Sequence, residues 1–156
     1  MELIPVGAAD EAFLFQVYAG TRREEVAGWG WDAAQQESFL QMQFQVQRRA
    51  YQMQYEEAEH CIIVHDGRPV GRTIVQRTTN GLHLVDIAVL PEYRGAGIGT
   101  GVLRTLQAQA ALAGQPLRLH VMRANPARRL YERLGFTLTG ENDTHYAMEW
   151  RPGAER

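Results

Sequence analysis

One stretch, Val85 to Thr100, leaves this chain few ways to fold. An apolar, strand-like run ending at Leu90 is followed by Pro91-Glu92-Tyr93-Arg94 and then by Gly95, Gly97 and Gly99, which open an amphipathic segment. A β-strand therefore feeds, through a short turn, into a helix whose first turn is mostly bare backbone. The first N–H groups of a helix have no partner within it, and the macrodipole adds partial positive charge there. Glycine removes the side chains that would keep a ligand away, so the junction is shaped for an anion such as a pyrophosphate. A P-loop is disfavoured because no Lys-Ser or Lys-Thr follows the glycines. A dinucleotide fingerprint fails too: Pro91 to Arg94 separate the strand from the glycines, and Thr100 stands at the third glycine position.

The rest of the chain supplies a mixed α/β frame for that junction. After a short start at Glu2 to Val6, two helices are expected, Ala8 to about Ala27 and about Asp32 to Tyr55, parted by Gly28-Trp29-Gly30-Trp31. In the second helix Phe39, Met42, Val46, Ala50 and Met53 recur every three or four residues, the spacing of a core-facing stripe. A second stripe, Leu40, Phe44, Tyr51 and Tyr55, lies about a third of a turn away. Three readings stay open for it: an acceptor-pocket lining together with Trp29 and Trp31, a homodimer contact, or a broad core face. From His60 the period changes. Turn signals at Asp66-Gly67 and Asn80-Gly81 divide Cys61 to Val64, Pro69 to Arg77 and Leu82 to Leu90 into a three-stranded meander. A helix from about Gly97 to Ala113 ends at Gly114, and a strand Leu117 to Met122 follows. A further helix opens at Asn125-Pro126 and closes near Gly135, before two runs, Phe136 to Thr139 and Thr144 to Trp150.

Residues Arg94, Gly97 and Gly99, with their hydrophobic strand-Pro-x-Tyr lead-in, resemble the Arg/Gln-x-x-Gly-x-Gly/Ala acetyl-CoA motif of the GNAT superfamily. Downstream, Ala127 to Phe136 is similar to that family's Ala-x-x-Leu-Tyr-x-x-x-Gly-Phe helix. The resemblance covers roughly residues 82 to 140 and implies a single domain over 1–156: a mostly antiparallel twisted sheet of about seven strands flanked by about four helices. It also implies acetyl-CoA as donor. The backbone of Ile87, Ala88 and Val89 would pair with the pantetheine arm, and the main chain of Gly95, Ala96, Gly97, Ile98, Gly99 and Thr100 would hold the pyrophosphate, with Arg94 as an added cation.

Tyr131 is the implied proton donor to the departing CoA thiolate, since a phenol of ordinary pKa about 10 protonates a thiolate without a large mismatch. Many family members carry an Asn seven residues before this Tyr; here that position is Ala124, and Asn125 is only six before. In a regular helix Asn125 would point away from Tyr131, so capping is its expected role and its CoA contact is in doubt. An alkylammonium must lose a proton before it attacks, and His83 and Asp86, on the strand leading to the turn, are the candidate bases. His83 falls where the histone-acetylating branch of the family places its glutamate, although a strand bulge would change that register.

Composition narrows the partners. Sixteen Lys and Arg stand against eighteen Asp and Glu, a net charge of -2, so no positive field is present for nucleic acid. The one cysteine, Cys61, lies in an apolar run and fits a reducing compartment. His60 and His65 lack the carboxylate or cysteine neighbours of a metal site, and no metal is expected. No leader-like or membrane-length apolar run is present, so a cytoplasmic protein without a membrane partner is the expectation. The function expected is N-acetyl transfer to a primary amine of a small molecule, a peptide N-terminus or a lysine. A noncatalytic acyl-CoA sensor and an interaction protein with no ligand at the glycine turn are the rival readings.

Overall fold

The computed structural model describes residues 1–153. Seven strands form one sheet in the order β1-β2-β3-β4-β5-β7-β6: β1 Glu2–Pro5, β2 Glu59–His65, β3 Arg68–Thr78, β4 Gly81–Val89, β5 Leu117–Met122, β6 Thr137–Glu141 and β7 His145–Trp150. All neighbours are antiparallel except β4 and β5, which are joined by a crossover helix and run parallel. Four helices flank the sheet: α1 Glu11–Ala27 after a 3-10 turn, α2 Ala33–Gln54, α3 Ile98–Ala113 and α4 Arg128–Arg133. None of the described helices is long and apolar enough to cross a membrane.

Local chemistry sets the element ends. Asp66 (φ 52°) and Gly67 (φ 74°) supply the two left-handed residues that a two-residue β2–β3 hairpin demands. At the next hairpin Gly81 already pairs with Thr78, so the turn is Thr79-Asn80, one residue before the expected pair. Helix α2 starts in a reciprocal capping box: Asp32 Oδ1 accepts the Gln35 N–H at 2.8 Å, and Gln35 Oε1 accepts the Asp32 N–H at 3.1 Å. Helix α3 stops at left-handed Gly114.

Alternation along the strands splits the core into two layers. Leu82, Leu84, Leu117, Leu119, Val121, Met148 and Trp150 face α3 and α4, packing with Ile98, Val102, Leu106 and Tyr131. Ile62 faces the other way and joins Leu14, Phe15 and Tyr18 of α1 and Leu40 and Phe44 of α2. The expected core stripe of α2 is thus corrected. Met42, Val46 and Met53 are exposed at 54%, 56% and 79%, whereas Leu40 and Phe44 are fully buried. Phe44 sits edge-on to Phe15 with ring centroids 5.6 Å apart. The two stripes are a third of a turn apart, so periodicity reveals a helix without saying which stripe meets α1 and β2. Of the three readings for Leu40, Phe44, Tyr51 and Tyr55, core packing holds for the first two, while the tyrosines are half-buried.

Candidate active site

The sheet opens where the site forms. β4 and β5 pair only at Leu82–Leu117, His83–Arg118 and Leu84–Leu119. A bulge at Val85 shifts the register of β4 against β3 just beyond that point, and such bulges bend and twist a strand. β4 then continues to Val89 held only by β3, while β5 continues to Met122 held only by β7. The edge of Ile87, Ala88 and Val89 that faces β5 is thereby left without a ladder partner.

A cavity of about 700 Å³ lies at this opening, within the roughly 300–1,000 Å³ usual for ligand clefts. Ile87, Ala88, Val89, Arg94, Gly95, Gly97, Ile98, Gly99, Thr100, Asn125 and Tyr131 all border it, so nearly every residue anticipated for donor binding converges here. Ala96 does not border it. Gly95 (φ 77°) and Gly97 (φ 80°) adopt left-handed backbone, and a Cβ at either would meet no protein atom within 4 Å. The cradle is therefore open in front of the glycines, with the first N–H groups of α3 turned out of the helix. Residues present and space left both suit a pyrophosphate.

Arg94, expected as a phosphate cation, borders the cavity and also holds the turn in place. Its Nε donates to the Val89 carbonyl at 3.2 Å and its Nη2 to the Gly20 carbonyl of α1 at 3.3 Å. It braces the turn against α1, whose Gly20 lies so close that a Cβ there would sit 2.7 Å from Pro91. Asn125 also departs from the helical-wheel argument. Residues 125–127 precede α4, and Asn125 Oδ1 accepts the Ala127 N–H at 2.9 Å in a turn, so the side chain borders the same cavity as Tyr131. A wheel that includes Asn125 fails because the regular helix begins only at Arg128, after an Ala127 cap.

Tyr131 borders this cavity and also a second one of about 220 Å³ on the far side of the β4–β5 opening. Its ring is 8% exposed and packs edge-on to Phe136 at 5.8 Å. Burial, and then the nearby Asp86 charge, push the phenol above its ordinary range, which keeps its proton in place. Its hydroxyl has no hydrogen-bond partner among the described residues, so none of them competes for that proton.

The second cavity is also lined by Asp86, His120, Met122 and His145. Asp86 Oδ2 lies 2.8 Å from Nη2 of Arg72, but off the hydrogen-bonding direction, leaving that oxygen without a hydrogen bond. Arg72 is only 6% exposed and reaches Gln47 Oε1 at 3.1 Å. His83, the other anticipated base, does not border the cavity. It stands behind His120, with His83 Nε2 3.3 Å from His120 Nδ1. Burial, then His120 and Arg118, hold His83 below the ordinary imidazole range. His120 and His145 carried no motif in the sequence; what could have drawn attention to them is their alternation with the core residues Leu119, Val121 and Tyr146 on β5 and β7. Trp29 and Trp31, for which an acceptor-pocket lining was one of three open readings, pack edge-on against Phe39 and border neither of these two cavities. Among the described residues no group of three or more His, Cys, Asp or Glu is placed to hold a metal ion.

A family model for the acetyltransferase (GNAT) domain matches residues 56–138, more than half of the sequence. The chain belongs to the GNAT acetyltransferase family. Within that family it is similar to the alanine N-acetyltransferase of ribosomal protein bS18 from Haemophilus influenzae, 34% identical over 85 residues. Those residues are 54% of this chain and span 58% of that relative's length. PaiA N-acetyltransferase of Thermoplasma acidophilum, solved in complex with coenzyme A, superposes at a TM-score of 0.69 and 18% identity, over 96% of this chain and 98% of that one. The ribosomal-protein-S18-alanine N-acetyltransferase of Escherichia coli superposes at 0.63 and 22% identity, over 96% and 92%. At these identities the structural likeness establishes the GNAT fold, and the family assignment rests on the sequence match.

Proposed function

We propose that the chain transfers the acetyl group of acetyl-CoA to a primary amine by direct attack within a ternary complex. One juxtaposition supports this most: Tyr131 borders both the cavity at the glycine cradle and the second cavity across the β4–β5 opening. A thioester held beside Tyr131 would have the rest of its CoA in the first cavity and present its carbonyl carbon to an amine in the second.

Each group then has a physical task. The main chain of Gly95 to Thr100 holds the pyrophosphate by N–H donation, strengthened by the α3 dipole. The free edge of Ile87 to Val89 pairs with the pantetheine amides as an added strand, which brings the thioester toward Tyr131. The amine nitrogen attacks the carbonyl carbon, the C–S bond breaks, and the Tyr131 hydroxyl protonates the leaving sulfur. The acceptor class is an amine of a small molecule, a peptide N-terminus or a lysine. The alanine N-acetyltransferase named above makes a peptide N-terminus the first class to try.

Replacing Tyr131 by Phe removes the transferable proton and keeps the ring packing against Phe136. Acetyl-CoA affinity and melting temperature should stay near wild type, and the single-turnover rate with an accepted amine should fall about 10²-fold or more. A wild-type single-turnover rate in Tyr131→Phe would remove Tyr131 from the chemistry. Binding of acetyl-CoA without transfer to any amine of a broad panel would favour a noncatalytic sensor instead.

A further inference from the structure

We infer that His120 is the group that takes the proton from the attacking amine, with His83 positioning its ring; this rests on the transferase reading above. The sequence directs attention to His83, but geometry gives that residue the supporting part. His120 borders the same cavity as Tyr131, on the strand face opposite Leu119 and Val121, while His83 lies behind it. The two rings stand edge to face with centroids 5.3 Å apart, and the only nitrogen of His120 left for the cavity is Nε2, because Nδ1 is turned to His83.

The surroundings of His83 favour its neutral form. His83 is half-buried beside His120, the Tyr55 ring of α2 at 6.3 Å and Arg118 of β5. Its depressed basicity keeps it neutral, so its Nε2 accepts the Nδ1–H of His120 and fixes the tautomer in which His120 Nε2 holds a lone pair. The other groups around the cavity do not displace this assignment. Asp86 on β4 lines the same cavity, but its Oδ2 lies 2.8 Å from the Arg72 guanidinium, which offsets its charge. His145 on β7 has its Nδ1 2.7 Å from Thr144 Oγ1. Tyr131 on α4 keeps its proton and acts as a donor.

His120 Nε2 takes one proton from the alkylammonium, freeing the lone pair that forms the C–N bond. The adduct collapses with cleavage of C–S, and the sulfur takes the Tyr131 proton. The second proton of the acylated nitrogen returns to the Tyr131 oxygen through solvent, and His120 gives its proton to bulk water. One amide, one CoA thiol and one released proton result, with no oxidant or metal required.

The test uses the full chain with acetyl-CoA and an alkylamine that the wild type acetylates, in single-turnover experiments from mildly acidic to strongly alkaline pH. His120 is exposed, so His120→Ala should fold and bind acetyl-CoA as wild type does. Its transfer rate near neutrality should fall about 10²- to 10⁴-fold, the range for a positioned base, and the deficit should shrink as alkaline solution deprotonates the amine. Added imidazole should restore part of the rate. His83→Ala should move the acidic limb of the pH profile with a smaller loss, and His83→Gln, which keeps a hydrogen-bond acceptor, should recover it. An unchanged rate and pH profile in His120→Ala would overturn the assignment, as would a deficit that persists at alkaline pH without imidazole rescue. A wild type that binds acetyl-CoA yet acetylates no alkylamine or peptide would instead overturn the transferase reading, and this inference with it.

Discussion

Two glycines at opposite ends of α3 allow backbone strain to be separated from ligand binding. Gly97 (φ 80°) and Gly114 (φ 66°) are both left-handed, and a Cβ at either meets no protein atom within 4 Å. Alanine at each position therefore brings the same kind of conformational cost, about 1–2 kcal/mol, without a clash inside the protein. For a chain of this size that lowers the melting temperature by about 2–8 °C in both variants. Only Gly97 faces the donor cavity. A Cβ there holds the phosphate off the outward N–H groups, and losing one charge-assisted hydrogen bond costs about 1.5–3 kcal/mol. The dissociation constant for acetyl-CoA should then rise roughly 10- to 150-fold in Gly97→Ala and stay at the wild-type value in Gly114→Ala. Calorimetric titration of acetyl-CoA alongside scanning calorimetry of each variant measures both quantities. Equal affinities in the two variants, or an equal loss in both, would refute the cradle.

The remaining expectations concern packing and the turn. Phe44→Ala removes a fully buried ring from the α1–α2 layer and should cost about 3–5 kcal/mol, whereas Val46→Ala, more than half exposed, should stay within about 0.5 kcal/mol. Urea unfolding of the pair checks which stripe of α2 faces the core, and reversed magnitudes would contradict the burial described above. Arg94→Lys keeps the charge but cannot span the Val89 and Gly20 carbonyls as the guanidinium fork does. Weakened acetyl-CoA binding and a lowered melting temperature are expected together, and full retention of both would mean that charge alone suffices at this position.

Much of this protein is legible along the chain because the relevant physics is local. Strand, turn and helix order follow from alternation, Gly and Asn signals and helical spacing, and the glycine junction declares an anion site because helix N-termini always leave N–H groups free. Tyr131 could be chosen from its motif. Where a side chain meets a partner from a distant segment, the local pattern does not identify that partner. It could not say that Leu40 and Phe44, one step around α2 from Met42 and Val46, meet α1 and β2. Nor could it foresee that Asn125 leaves the helix and turns into the cavity, or that Arg94 is spent on two carbonyls.

The two histidines show the division most plainly. Sequence determined that a histidine stands on the strand before the turn and that another follows α3. Only the tertiary structure decided that a bulge at Val85 parts β4 from β5, that His120 and His83 meet at 3.3 Å beside the paired end of those strands, and that His120, unlike His83, borders a cavity shared with Tyr131. The reason is that a local pattern fixes the face of a strand on which a side chain lies, while its distance to another strand depends on pairing between segments some thirty-seven residues apart.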